Sequence, residues 1–512
     1  MFEGGVQLTH LNADYIVVGA GTSGCVVARR LLDRPGVSVL LIEAGAAYPG
    51  LPLDVPMAGL RLRRRWSWSL PTVEQPNLMG RSIEYPMGRV VGGSSSVNAM
   101  LSVPGPPEAF DAWGESGWSG AEMMQAFARA ASADDTAPMM ISEPRHRAPF
   151  SASFLEACVE SGLKENALLY GDAVDTCGWF PVYQRDGKRE SVARTYLASK
   201  KNDSYLQLLT KVSVRRVLLK NSRATGVEFV QGKNLVQANA SRGVILSAGA
   251  LMSPKLLLCS GVGPAEALSQ VGIKPVVALP GVGKNLQDHL GVPLVFRTDQ
   301  PTPGKKSRWL AAAWQYARHR DGPMVSTCGE AGCFISVDKA SRNGIVEIFA
   351  MFQTSRQSRA VELMVVLSQP ESRGSICLNP KDPWQPPWID PNYLSKSIDA
   401  EYLMKGVHRA RDIAQRPALR RFALREKSIS GLSDHELIST TGTTFNHPVG
   451  GCCMGKNEQS VVDAGLRVHG VERLWVADNS IAPSITPGHT ASLAMMIGER
   501  ASDLIPSDSS GV

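Results

Sequence analysis

The hydrophobic and polar positions at the start of the chain fall into a short run of recognisable elements. Asp14-Tyr15-Ile16-Val17-Val18 is a β-branched, apolar run that stops at Gly19. Gly-Ala-Gly-Thr-Ser-Gly then leads into Cys25–Leu32, where apolar residues recur at helical spacing. Asp33-Arg34-Pro35-Gly36 breaks that helix, and Val37-Ser38-Val39-Leu40-Leu41-Ile42 reads as a second, buried strand ending at Glu43. The pattern predicts a βαβ unit with a glycine-rich first turn.

Further along, the periodicity weakens and then returns. Residues 44–120 are rich in Pro, Gly, Ser and Trp, which predicts a long loop region of the kind that carries function. Short strands are predicted at Leu206–Leu209, Val212–Leu218, Gly226–Val230 and Val244–Ser247, and a helix at Leu251–Leu258. Ile345–Phe352 and Val361–Leu367 predict antiparallel sheet, and Ser397–Gln415 a helix. Leu474–Ala477 reads as a strand ending at Asp478, and Ala491–Leu504 as a closing helix. The basic cluster Arg61-Leu62-Arg63-Arg64-Arg65 reads as a solvated or phosphate-facing loop.

Composition narrows the class. A chain of 512 residues exceeds what one hydrophobic core usually serves, so two or three domains are expected. With 43% hydrophobic and 20% charged residues it is neither disordered, collagenous nor a coiled coil. The surplus of 54 Lys+Arg over 47 Asp+Glu, +7, is too thin over this length to suggest a nucleic-acid partner. Nine cysteines, an odd number with no C-x-x-C pair, argue against a disulfide framework and a zinc site, and no metal site is expected. Met1–Asn12 lacks the basic start and apolar block of an export signal, and no stretch has the ~18 uncharged apolar residues of a membrane span. A cytoplasmic protein is expected.

The candidate chemistry begins in the first turn. Gly19, Gly21 and Gly24 form G-x-G-x-x-G after a strand and before a helix, and Glu43 follows nineteen residues after the last glycine. That context predicts a dinucleotide site, with Gly19 for the turn, Gly21 for approach of a pyrophosphate and Gly24 for helix packing. A glutamate here accepts from both ribose hydroxyls and disfavours a 2′-phosphate, which leaves FAD or NAD.

Two further segments bear on that choice. Gly88-Arg89-Val90-Val91-Gly92-Gly93-Ser94-Ser95-Ser96-Val97-Asn98-Ala99-Met100 resembles the first signature of the glucose–methanol–choline (GMC) oxidoreductases, and Gly249–Gly263 resembles the second. The likeness continues through Gly281–His289, Ser372-Arg373-Gly374, Asn392-Tyr393-Leu394 and from His447 to the last helix, covering nearly the whole chain. It implies FAD, and an α/β fold (α+β overall) in which a Rossmann-like FAD-binding domain carries a second, substrate-binding domain built on an antiparallel sheet with helices. Residues 1–140, 185–290 and 440–512 would form the first, and 141–184 and 291–439 the second. Gly92, Gly93, Ser94 and Asn98 would wrap the flavin, with Asn98 nearest the reactive ring, and Asp478 matches a second flavin-contacting carboxylate. No histidine lies in this segment, so the FAD is expected to be non-covalent.

Phe445-Asn446-His447-Pro448-Val449-Gly450-Gly451-Cys452-Cys453-Met454-Gly455 resembles the family's active-site segment, and His489 stands at its second active-site position. Gly451 stands where Thr is usual, and Cys452-Cys453 is an unusual pair. The resemblance implies that His447 and His489 oxidise a primary alcohol, compact or aromatic, to the aldehyde. One imidazole accepts the hydroxyl proton while hydride leaves for flavin N5, and the other holds the alcohol oxygen. The reduced flavin would be reoxidised by O₂, or alternatively by a quinone or other acceptor in a dehydrogenase. A hydroxynitrile lyase and a non-catalytic flavin protein are the other readings. His289 is read as structural.

Overall fold

The computed structural model describes residues 11–506 apart from 172, 301–305, 342, 353–359 and 428–431. The N-terminal stretch read for an export signal lies almost wholly outside them. The βαβ unit is present as strand β1 (Leu11–Val18), helix α1 (Thr22–Leu32) and strand β2 (Val39–Glu43). The second strand starts two residues later than predicted because Gly36 adopts a positive φ and turns the chain there.

A seven-stranded sheet grows around this unit in the order Leu206–Thr210, β2, β1, β3 (Asn234–Leu246), Arg223–Gln231, Ser213–Lys220, with Leu474–Val476 also pairing β3. The long strand β3 joins two kinds of sheet. Its first half pairs antiparallel with Arg223–Gln231, and its second half runs parallel to Leu474–Val476. The predicted strand Val244–Ser247 is the tail of this element. Every residue of β2 is buried, and α1 buries Cys25, Val26, Val27, Ala28 and Leu31, as expected for a parallel sheet covered on both faces.

Between the predicted elements lie helices that the loop-like composition concealed. Segment 44–120 contains α2 (Pro56–Leu62), short 3₁₀ turns and two-residue strands. Gly120–Ala130 is a full helix, started by a capping box in which Ser119 and Glu122 satisfy each other's backbone N–H. Pro149–Glu160 and α3 (Lys306–His319) are also helical.

The second sheet has eight strands. At its centre β4 (Leu290–Arg297), β5 (Ala331–Ser336), β6 (Ile345–Phe352) and β7 (Ala360–Leu367) pair antiparallel in the order β4-β7-β6-β5. Alternation assigns the two faces. Val346, Ile348 and Ala350 enter an apolar core with Leu403, Val407 and Ala410 of the helix Ser397–Ala414. Phe349, Met364 and Val366 face the other way, into a smaller cluster with Phe180 and Phe445. That second face, opposite the helices, is the roof of the site. The last helix, α4 (Thr490–Leu504), packs on α1, tied by Arg30 to Glu499 through two bonds of 2.9 Å.

Candidate active site

The glycine turn is shaped by contacts that only glycine permits. A Cβ on Gly24 would stand 1.9 Å from the Gly19 carbonyl oxygen, so this glycine closes helix against strand and does not reach the cavity. A Cβ on Gly93 would stand 2.7 Å from Gly21 Cα, so the two glycine loops touch and form one cradle. Gly92, at φ +91, turns the chain into that contact and donates its N–H to the Ala20 carbonyl, without lining the cavity itself. Gly21 has only the Ser247 carbonyl within 4 Å of a would-be Cβ, which leaves its outer side open in front of the α1 N-terminus.

Glu43 closes the end of β2. Its two carboxylate oxygens accept from the backbone N–H of Ala20 (3.0 Å) and Gly45 (2.7 Å), so it braces the glycine turn as well as facing the cavity. Burial pushes its carboxyl up to about 7 against the pull of those two bonds. Asp478 is the corresponding brace after Leu474–Val476. It accepts from the N–H of Gly249 (2.8 Å) and Ser480 (2.9 Å) and from the Ser253 hydroxyl, and burial raises its carboxyl. Asn98 presents its amide. Its Oδ1 accepts from Arg189 Nη1 (2.9 Å) and from the Met100 N–H (3.0 Å), which leaves its NH₂ as the donor for a ligand.

The histidines stand under the roof sheet. His447 and His489 lie with ring centroids 5.1 Å apart, both against Phe445, and Phe180 covers His489. The strand-bound Glu347 accepts from His489 Nε2 at 3.0 Å. His447 Nδ1 meets His289 Nδ1 at 3.0 Å, and its backbone N–H donates to Asp288 Oδ1. Burial first, then the neighbouring His289 and His489, holds the His447 imidazole well below its ordinary 6.5. Asp288 is a buried hub that also takes the hydroxyls of Tyr85, Tyr393 and Thr444, and desolvation raises its carboxyl to about 6.

Gly19, Gly21, Glu43, Gly93, Ser94, Asn98, His447, Asp478 and His489 all line one cavity of about 1410 Å³. Gly24 and Gly92 shape its wall from behind. Sequence reasoning missed Glu347 and Asp288 and read His289 as merely structural. Glu347 had one signal, a lone carboxylate at the inward-facing register of an otherwise apolar strand. Gly451, in place of the usual Thr, sits at φ +97 with Pro254 Cγ 2.6 Å from where its Cβ would be, so the departure matches local packing.

The donors fit a dinucleotide whose far end is a flat, hydride-accepting ring: backbone N–H groups at a helix N-terminus, a carboxylate at the end of β2, and an amide beside two imidazoles. Comparison with known proteins agrees. Profiles described as GMC oxidoreductase match residues 13–291 and 370–498. An alcohol dehydrogenase (acceptor) from Pseudomonas putida is 34% identical, with 96% of this chain and 95% of that one covered. An oxygen-dependent choline dehydrogenase from Pseudomonas savastanoi pv. phaseolicola is 33% identical, over 97% of this chain and 94% of its own. The crystal structure of pyridoxine 4-oxidase from Mesorbium loti superposes with a TM-score of 0.86 at 28% identity, covering 96% and 99% of the two chains. The chain belongs to the GMC oxidoreductases, with the Rossmann-like fold and the FAD cofactor of that family.

Proposed function

We propose that the protein oxidises a primary alcohol, compact or aromatic, to the aldehyde, with O₂ reoxidising the flavin. The observation that carries this reading is the pair of buried imidazoles, 5.1 Å apart, in the same cavity as both glycine loops. Non-covalent FAD supplies the hydride acceptor. His447, kept neutral by burial and engaged through Nδ1, offers Nε2 to the alcohol hydroxyl and takes its proton. His489, which gives its Nε2–H to Glu347, orients the alcohol oxygen by donating from Nδ1, with the carboxylate as counter-ion to a ring that then carries a proton on each nitrogen. Phe349 and Phe445, with ring centroids 5.2 Å apart, give the substrate an aromatic wall and exclude water.

In this reading Gly19, Gly21, Gly93 and Ser94 carry the dinucleotide, Glu43 its ribose and Asn98 the ring, and the cofactor domain takes 1–140, 185–290 and 440–512. A cytoplasmic setting goes with it; among the described residues no helix is long and apolar enough to cross a membrane. Relatives named for oxygen and for another acceptor make reoxidation the step to test. An anaerobic panel of alcohols should bleach the flavin with at least one compact or aromatic member, and admitted air should restore the colour within turnover time. Bleaching that persists in air but reverses with a quinone would transfer the reading to a dehydrogenase. Cyanide release from a cyanohydrin without bleaching would replace it with a lyase.

A further inference from the structure

Helix α3 turns an apolar stripe to solvent. Leu310 is 75% exposed and Trp314 65% exposed, and Ala311, Ala313 and Ala317 are exposed with them. The opposite side of the helix is already used: Tyr316 is buried against Val55 and Val325. A large apolar pair at i, i+4 on an outward face is the informative exception among surface residues.

Arginines flank this stripe. Arg318 lies over Trp314 with Cζ 5.7 Å from the ring centroid, and Arg61 lies over Trp309 at 3.5 Å, joining α3 to the end of α2. There Leu62 is 42% exposed, and Arg63, Arg64 and Arg65 are exposed beside it. No Asp or Glu occurs in 55–73 or in 306–320. The acids near the patch lie off its outward face: Asp54 acts on the buried Tyr316 side and is held by Tyr48 and Arg194, Glu330 is buried on Ser151 and Ser326, Glu362 lines the cavity, and Glu143 and Asp321 stand on the Gln315 side, with Glu143 paired to Arg147 at 2.6 Å. The charge that acts on Arg63 from its own element is another arginine, Arg64. Leu60, Arg61, Arg63 and Arg64 also line the large cavity, so the patch flanks one of its edges.

We infer that the outward face of α3, with Leu62 and the arginines at the end of α2, docks the protein on an anionic lipid surface. Trp and Leu enter the headgroup boundary, and the arginines meet lipid phosphates around them. The patch suits a peripheral contact, since α3 has fourteen residues and polar neighbours. Docking brings the arginine-lined edge of the cavity to the lipid surface.

The test is co-sedimentation of the flavin-loaded protein with vesicles, which reads binding independently of any alcohol turnover. Vesicles of phosphatidylglycerol and phosphatidylcholine in equal parts should pellet the protein, pure phosphatidylcholine should pellet far less, and high salt should release it. Leu310→Glu and Trp314→Glu should each lower the partition coefficient roughly tenfold while flavin content stays at the wild-type level. No pelleting with the anionic vesicles, or pelleting unchanged in both variants, overturns the inference. A wild-type dimer that Leu310→Glu dissociates, with no vesicle binding, overturns it in favour of a second copy of the chain.

Discussion

His289 and His447 face each other through their Nδ1 atoms, 3.0 Å apart, so a single proton lies between two like nitrogens. One ring must donate and the other must accept. Backbone carbonyls of Ser368 and Thr486 act on the buried His289 ring, whose Nε2 has no hydrogen-bond partner of its own. Those carbonyls favour a protonated nitrogen, and with Nδ1 turned to His447 the remaining one is Nε2, so we assign the His289 proton to Nε2 and leave its Nδ1 bare. His447 then donates from Nδ1, and its Nε2 lone pair remains for the alcohol. On this account His289 is a positioning residue that selects the tautomer of the base.

Replacing it should therefore act on rate and spare binding. For His289→Ala we expect flavin reduction by a good substrate to slow roughly tenfold, the worth of one buried hydrogen bond, with KM little changed. Stopped-flow reduction at several substrate concentrations separates the two parameters. An equal loss in kcat and gain in KM, or no loss at all, would remove the tautomer argument.

The same burial sets two pH dependences. His447 is held well below 6.5, so it is neutral at and above pH 7, and the rate of flavin reduction should be flat there and fall only as acid protonates it. His447→Ala should abolish that limb and cost about 10²–10⁴-fold in rate while keeping the flavin. For stability the sign follows from His289, lowered from 6.5 to about 3 by desolvation. The unfolded chain binds a proton that the folded one refuses, so the contribution is complete above pH 6.5 and is lost as pH falls toward 3. At pH 5 the loss is about 2 kcal/mol, so the unfolding free energy of wild type minus that of His289→Phe, from urea titrations, should fall by about that amount from pH 7 to pH 5.

The legible parts of the chain were those where neighbours in sequence are neighbours in the site. Gly19, Gly21 and Glu43 sit on one βαβ unit, so strand, turn and helix periodicity located them. The segment from His447 to Met454 and the residue His489 were located by resemblance to a family pattern, since a histidine in isolation carries no such message. Glu347 offered only its lone charge in an apolar strand, and the histidine it serves was out of reach for a physical reason. The role of Glu347 comes from pairing β6 between β5 and β7, which points alternate residues at a histidine 142 positions away. The helices Gly120–Ala130 and Pro149–Glu160 lie outside the predicted elements, although Ser119-Gly-Ala-Glu122 is a start signal and Pro149 occupies a first-turn position.

Glu43 is expected to matter twice. Its carboxylate holds the N–H groups of Ala20 and Gly45 and faces the site proposed for the ribose. Glu43→Ala should weaken FAD by roughly ten- to a hundredfold, from lost charge-assisted bonds, and should also lower the melting temperature of the FAD-free protein by orphaning two backbone donors. Because burial raises this carboxyl to about 7, FAD affinity in the wild type should rise with pH through 7 and level off above it. Titration calorimetry across that range, with wild type and variant side by side, checks both statements.

His489 and Glu347 allow the sharpest test of the proposed chemistry. Glu347 is 3% exposed at its side chain and its oxygens lie 3.0 and 3.3 Å from His489 Nε2, so its charge reaches the reaction through that ring. Glutamine keeps the volume and an accepting oxygen but removes the charge. If the carboxylate serves only to hold His489 in place, Glu347→Gln should be nearly as active as wild type, whereas Glu347→Leu should lose roughly tenfold in kcat/KM. If it also stabilises positive charge on the imidazole during proton movement, Glu347→Gln should itself be slow. The proposed assignment, with His447 as the base and His489 donating to the oxygen from Nδ1 while its Nε2–H stays on Glu347, calls for the second outcome. In either case Glu347→Leu should add little in a His489→Ala background, a coupling of about 1.4 kcal/mol that equals its tenfold loss alone, because the residue has no route to the alcohol except the ring it holds. Independent losses in that double variant would mean Glu347 touches the substrate directly, and the division of labour between the two histidines would have to be redrawn.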